Sequence, residues 1–452
     1  MPTPRRPRLA ALLIAVAALA AGCSSRTSSP LPGADAGAAR RPARAAQPKS
    51  CPSPYTGYGV PLAVINKSGL PNGDLNFLFT ATDPQNQTEF EYLDASGNMK
   101  VFAAGESATD LALSNCFPGS VGKSGKGAKL IVPILPGGRL WIALNDTLDL
   151  AGTSNGGFIQ PTGWTSGGPG YNVPWDFVEL SDDDPGVFVD ITRVDMLGLP
   201  LNLEVLPTSK SSPWTKVGEN FSDYPKMLAQ FAGDAPYDNL VTTVPKFSPA
   251  IPRIINPSHY AGFPDVFNET KYYQGGYLNK VLSYYGSAKN DITYQTAYKG
   301  PYCPGSWTAG SDGSNFTFSN GSATYDFAAG LYSTQYVFED NPGSGYAAGT
   351  CPYLLDKILL QELNRGVAMK ANHPITNTGK FYPSGQIDNQ YACILHNNSL
   401  HHATYAFAFD DADNQASAYG NSAPTEIELT IGPIPTALPT AKPSPKPCTA
   451  NY

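Results

Sequence analysis

A mainly β protein with a mixed α/β unit set into it is the fold class this sequence predicts, and three observations predict it. From Pro61 to Pro207 the apolar runs are short and β-branched or aromatic: LAVIN at 62–66, LNFLFTAT at 75–82, KLIVPIL at 129–135 and GRLWIAL at 138–144. Clusters of Gly, Pro, Asn and Ser separate them, the pattern of a sandwich or barrel. Beyond Pro207 the period changes. YLNKVLSYYG (277–286) has helical spacing and a Gly stop, and CPYLLDKILLQELNRGVAM offers Pro352 at a helix start with Leu355, Ile358, Leu359 and Leu363 recurring behind it. Between them Asn320-Gly321 reads as a type I′ hairpin turn. The third observation is that alternation at period two returns in HATYAFAFDD (402–411) and TEIELTIG (425–432), so the helical middle is expected to sit between β segments.

Composition agrees. A chain of 452 residues, 41% hydrophobic, exceeds the ~250–300 residues that one core organises, so two domains are expected. Gly 44 and Pro 42 make about a fifth of the chain, loop-rich yet below the ~25–30% of disordered polymers. A net charge of −7 excludes the basic footprint that nucleic acid or an anionic membrane surface requires, and a neutral ligand fits better.

Residues 1–23 read as an export signal. Arg5, Arg6 and Arg8 precede an apolar run from Leu9 to Ala20 too short to span a bilayer, and small residues lead to Cys23. The pattern resembles a bacterial lipoprotein signal with Cys23 as the lipidated residue; an ordinary cleaved signal is the other reading. The expected contact with a membrane is that anchor alone. Residues 24–50 are a flexible tether, 51–207 the first part of a β domain, 208–389 a mixed α/β domain, 390–433 the last β strands and 434–452 a Pro-rich tail. Without Cys23 six cysteines remain, an even number suited to an oxidising compartment. Cys51 and Cys448 bracket the folded region and Cys303 and Cys351 share one segment, so these are the expected pairs. No cysteine or histidine spacing matches a metal site, and no metal or cofactor is expected.

The chemistry centres on WDFVELSDDDPGVFVDITRVDMLGLPL (175–201), two apolar strands turning at Asp184-Pro185-Gly186. Glu179 stands among Trp175, Phe177, Val178 and Leu180, surroundings that disfavour a charged carboxylate, as a general acid requires. Asp195 is a lone acid in the second strand. Two carboxylic acids without a nucleophilic elbow or a phosphate loop suggest glycoside hydrolysis, in which one acid protonates the leaving oxygen and the other activates water. With the turn centred on Pro185, Glu179 faces residue 191 and Asp195 lies four residues on, about 13 Å along the strand at ~3.3 Å per residue. Side chains leaning together shorten that gap toward the ~6.5–9.5 Å of an inverting enzyme. An acid on the outward face of a strand remains the plainer reading of either residue.

The runs GRLWI (138–142), GGPG (167–170), WDFVEL (175–180), TRVDMLGLPLNLEV (192–205), PRIINPSHY (252–260) and YAFAFDDADNQ (405–415) resemble, in order, glycoside hydrolase family 64. The likeness covers roughly 55–433. It implies a thaumatin-like β barrel or sandwich, an inserted mixed α/β domain, and a wide groove between them holding β-1,3-glucan. It further implies endo-type cleavage to laminaripentaose-like products, with Glu179 as general acid and Asp195 as general base of an inverting hydrolysis. By position Ser181, Asp183, Phe188 and Thr192 line the cleavage region, with Ser181 and Asp183 replacing a Thr and an Asn and Phe188 a Trp. Phe188 reads equally as core. Asp410, Asp411 and Asp413 fall along the acidic groove or in a solvated loop, and Trp164 and Tyr171 are candidate stacking residues. A monomer acting on glucan is expected; the alternative is a non-catalytic glucan-binding surface lipoprotein.

Overall fold

The computed structural model describes residues 57–435 and 448–450, apart from 109, 113–129, 184–185, 207–215, 246, 248–249, 268–275, 288–289, 296–302, 304, 340–345, 348–349 and 412–415. The export signal with Cys23, the tether, Cys51, Cys116, Asp413 and most of the Pro-rich tail lie outside these residues.

The fold is mainly β. One sheet has five strands in the order Lys216–Gly218, Leu201–Leu206, Glu426–Ile431, Gly59–Asn66 and Leu130–Pro133. A larger sheet runs Ala418–Asn421, Gly186–Asp190, Trp175–Asp183, Arg139–Leu144, Leu75–Thr82, Phe90–Leu93 and Met99–Val101, with Leu111–Ala112 also paired to Leu75–Thr82. The two share one core. Because side chains alternate along a strand, Phe77, Phe79, Leu140, Ile142, Val178 and Leu180 from the larger sheet meet Val60, Leu62, Leu203 and Leu429 from the smaller one. Each such buried aliphatic or aromatic side chain stabilises the fold by roughly 1.5–3 kcal/mol.

The intervening positions of the larger sheet point the other way. Leu78, Trp141, Trp175 and Phe177 join a second core that continues into the helices Tyr224–Gly233, Leu278–Tyr285, Cys351–Asn364 and Gln390–Asn398. A third sheet, Thr324–Ala328, Asn315–Ser319, Ser306–Ser311, Ile292–Gln295 and Asn372–His373, belongs to the same core through Phe316, Phe318 and Trp307. The helix Leu278–Tyr285 stops at Gly286, and Cys351–Asn364 carries Pro352 in its first turn, as the sequence patterns predict.

Three expectations are corrected. Residues 402–411 form no strand: Tyr405 makes one isolated bridge to Thr192, and His402 and Phe409 have φ of 55° and 66°. Ala403, Ala406, Phe407 and Phe409 are all buried, so the alternation in HATYAFAFDD does not mark a wet face and a dry face. The hairpin of Asn315–Ser319 and Thr324–Ala328 closes through four residues, with Asn320 accepting from the backbone of Ser322 and Ala323, so its turn centres on Gly321-Ser322 instead of Asn320-Gly321. Cys303 pairs with Cys351 as expected, but Cys448 pairs with Cys393 and not with Cys51. The helix Gln390–Asn398 brings Cys393 to it, and Gln390 and Asn397 bond to residues 448–449.

Candidate active site

The strand Trp175–Asp183 alternates strictly, Val178 and Leu180 into the sandwich core and Trp175 and Phe177 into the second core, which puts Glu179 on the second face. Its neighbours there follow from register. Arg139 is its partner on one side and Asp190 on the other. Arg139 donates from Nε to Glu179 Oε1 at 3.0 Å, and its guanidinium lies 5.1 Å from the Phe177 ring centre. Glu179 is only 4% exposed and Asp190 1%. Burial pushes the Asp190 carboxyl well above the usual range, the charge and hydrogen bonding of Glu179 push it further, and Arg139 opposes both.

Register departs here from expectation. Asp183 pairs with Gly186, so Glu179 faces Asp190, not residue 191. The second strand also ends at Asp190, and Asp195 stands outside it, in a bend before the short strand Met196–Leu197. The count of residues along a continuous strand therefore does not measure the separation of the two acids.

Asp195 is positioned by a second set of elements. Met196–Leu197 pairs with Pro252–Ile255, the Asp195 carbonyl accepts from Asn256 N at 2.9 Å, and Asn256 caps the single turn Pro257–His259 through its side chain. That turn delivers His259, whose Nε2 lies 2.9 Å from Asp195 Oδ1. Trp164 stacks on the His259 ring at 3.9 Å between centroids and an interplanar angle of 6°. Burial acts against ionisation of Asp195, but the hydrogen bond and charge of His259, together with Arg139, outweigh it and hold the carboxyl below its ordinary value. The Asp195 side chain is 45% exposed against 6% for Glu179. One acid is dry, the other faces water, and the Arg139 guanidinium acts on both.

Arg253, in the strand that leads to His259, supports the loop carrying Trp164. Its guanidinium donates to the carbonyls of Gly163, Gly170 (3.2 Å), Tyr171 (3.4 Å) and Val173 (2.7 Å). Burial lowers its pKa to about 10. One buried side chain thus ties the strand that leads to His259 to the loop that carries Trp164.

Of the remaining candidates, Ser181 and Phe188 face each other in register on the Glu179 face, Ser181 buried and Phe188 half-buried. Asp183 lies in the same strand. Thr192 is buried, and its Oγ1 accepts from Val194 N at 3.3 Å. Trp164 and Tyr171 are half-buried, and one face of Trp164 is taken by His259. Asp410, expected along a groove, is instead fully buried, bonded to Arg365 at 3.0 Å and to His396 at 2.9 Å. Asp411 is paired with Lys357 at 3.0 Å and its charge reaches Asp190. Asp190, Arg139 and His259 were not singled out from sequence, although a two-residue turn at Asp184-Pro185 would have placed Asp190 opposite Glu179.

A family model described as β-1,3-glucanase, glycoside hydrolase family 64, matches residues 59–431, most of the chain. The chain belongs to glycoside hydrolase family 64. Two curated relatives, both glucan endo-1,3-β-glucosidases, are similar: one from Arthrobacter sp. (strain YCWD3), 24% identical over 67% of this chain and 54% of its own length, and one from Cellulosimicrobium cellulans, 23% identical over 66% and 52%. The chain thus spans about half the length of these relatives. Among solved structures, a laminaripentaose-producing β-1,3-glucanase in complex with laminaritetraose superposes with a TM-score of 0.67 at 20% identity, over 83% of this chain and 99% of that one. A family 64 β-1,3-glucanase domain from Clostridium beijerinckii gives 0.63 at 19% identity, over 84% and 100%. These likenesses establish a shared fold.

Proposed function

We propose that this protein is an endo-acting β-1,3-glucanase that hydrolyses glucan with inversion, Glu179 serving as general acid and Asp195 as general base. The observation that carries the reading is the contrast between two carboxyls that both feel the Arg139 charge. Glu179 is enclosed beside Arg139 on an apolar face, where a proton can be delivered to a leaving oxygen without competition from solvent. Asp195 is open to water and held ionised by His259, the state a base needs before it takes a proton from the attacking water. As the glycosidic bond breaks, the Glu179 proton passes to the leaving oxygen, the water oxygen bonds to the anomeric carbon from the opposite side, and Asp195 receives the water's proton.

Ser181, Phe188 and Thr192, on or beside the Glu179 face, are the first candidates to hold sugar, with Asp183 farther along the strand and the half-buried rings of Trp164 and Tyr171 as candidate platforms. The same reading extends to a thaumatin-like β domain with residues 208–389 as an inserted unit, a groove between them, and short oligosaccharide products of the laminaripentaose kind. The signal-like residues 1–23 and Cys23 support export with a lipid anchor.

Purified protein on laminarin, with reducing sugar and product anomer followed by NMR, tests the reading. The α-anomer is expected first, and Glu179→Gln is expected to lower kcat by on the order of 10²–10⁴-fold. A Glu179→Gln variant with undiminished activity overturns the assignment. Glucan retention without sugar release by the unmodified protein would identify a binding module instead.

A further inference from the structure

We propose that Asp190 is a positioning residue for the acid: it shares one proton with Glu179 across the strand pair, so that the two carboxyls and Arg139 act as a single unit. The inference rests on the reading of Glu179 as general acid. Its starting point is an imbalance. Arg139 and Asp190 flank Glu179 in register on the two neighbouring strands, on one face of one sheet, and both acids are almost completely buried. One guanidinium compensates one carboxylate, and the second carboxyl must then keep a proton or lie buried as an uncompensated charge.

The other surroundings of Asp190 do not relieve it. Its partner on the far strand is Ala418, which carries no charge, and Asp411 adds a negative charge already paired with Lys357 from the helix Cys351–Asn364. Asp190 Oδ1 is buried without a hydrogen-bond partner among the described residues. Of the charged groups that act on Asp190, Glu179 and Asp411 favour retention of a proton and Arg139 opposes it, one cation against a pair of carboxyls.

This arrangement answers a difficulty in the mechanism. A glutamate bonded directly to arginine is stabilised as the carboxylate, the wrong form for an acid. A second carboxyl at its side restores the proton, because like charges at close range cannot both ionise freely. During hydrolysis the shared proton leaves from Glu179 to the glycosidic oxygen as the bond to the anomeric carbon breaks. The pair is left with two negative charges beside Arg139 and recovers a proton from solvent, while Asp195 releases the one it took from water.

The experiment is the pH dependence of laminarin hydrolysis by the full chain, comparing wild type, Asp190→Asn, Asp190→Glu and Glu179→Gln. Asparagine can still donate a hydrogen bond to Glu179 but holds no exchangeable charge, so the alkaline limb of kcat/KM is expected to move toward acid. The rate at mildly alkaline pH should fall by about tenfold or more and recover on acidification. Asp190→Glu should restore the alkaline limb. An Asp190→Asn profile lowered equally at every pH, or unchanged, overturns the proposal. Glu179→Gln separates the two levels: undiminished activity there sinks the acid assignment, whereas an inactive Glu179→Gln beside an unmoved Asp190→Asn profile sinks the shared proton alone. Should Asp190→Asn not fold, carboxyl ¹³C NMR of the wild-type protein decides. Two linked titration steps from the pair are expected, and both carboxyls titrating together at low pH overturns the proposal.

Discussion

Arg193 and Arg139 each stand beside buried acids of one β structure, and they use their surroundings in opposite ways. Arg193 is fully buried between Asp176 and Glu219: Nη1 meets Asp176 at 2.8 Å, Nε and Nη2 meet Glu219 at 2.8 and 2.9 Å, and the carbonyls of Thr192 and Leu199 take the other protons. The acids are equally occupied, Asp176 by the amides of Phe177, Gly198 and Leu199 and Glu219 by that of Leu201. Gly198 is required there because a Cβ would come within 2.0 Å of the Trp175 carbonyl. Around Arg139 the acids are less satisfied: Asp190 keeps an oxygen with no partner among the described residues, and the Asp195 side chain is 45% exposed. The lesson is that saturated charge clusters fasten backbone, whereas clusters with spare bonding capacity are available for chemistry.

Arg193→Ala strands two buried carboxylates and should cost about 3–5 kcal/mol of stability, measured by urea unfolding. Its pH dependence has a definite sign. Burial holds Asp176 up at about 6 even with Arg193 opposing, and a carboxyl raised above its unfolded value costs stability as pH rises through the folded value. The Arg193→Ala deficit should therefore be greatest above pH 6 and shrink on acidification. Unfolding midpoints indifferent to Arg193→Ala would mean that the saturated cluster does not fasten the fold.

Arg139→Gln is expected to act on catalysis more than on folding. Loss of the cation makes both acids harder to ionise, so both limbs of the pH–rate profile should shift upward, with the rate at acidic pH lower by roughly tenfold. A large loss of stability with unmoved limbs would place Arg139 in the same class as Arg193. The narrowest effect, confined to one limb, is expected from His259→Ala. Asp195 is held below its ordinary value chiefly by His259, so the variant should move the acidic limb alone upward, reducing the rate at low pH by roughly tenfold. An alkaline limb that moved instead would break the assignment of His259 to the base.

Much of this was legible in sequence because strand composition and turn residues are local signals: the strands around Phe77, Trp141 and Val178 were placed by short β-branched or aromatic runs bounded by turn residues. The two acids stood out among apolar neighbours in one hairpin, and motif order gave them their roles. Asp190 was missed because a hairpin of one residue more or less reverses every cross-strand partner, and the sequence DDDPG allows either turn. Asp410 could not be read as interior from DDADN, since its burial depends on Arg365 and His396, 45 and 14 residues away in the chain. The pairing of Cys448 was equally illegible, being decided by where the helix Gln390–Asn398 docks.

The strand Glu426–Ile431 lies between Gly59–Asn66, to which it is parallel, and Leu201–Leu206. In kinetic terms it is a keystone made late. Until residue 431 has been synthesised, two long strands present bare edges where the sandwich should close, and each contact that seals them joins residues hundreds of positions apart. Folding must therefore wait for nearly the whole described chain, and an interrupted product ending before residue 426 would carry two adhesive edges in place of a finished sheet.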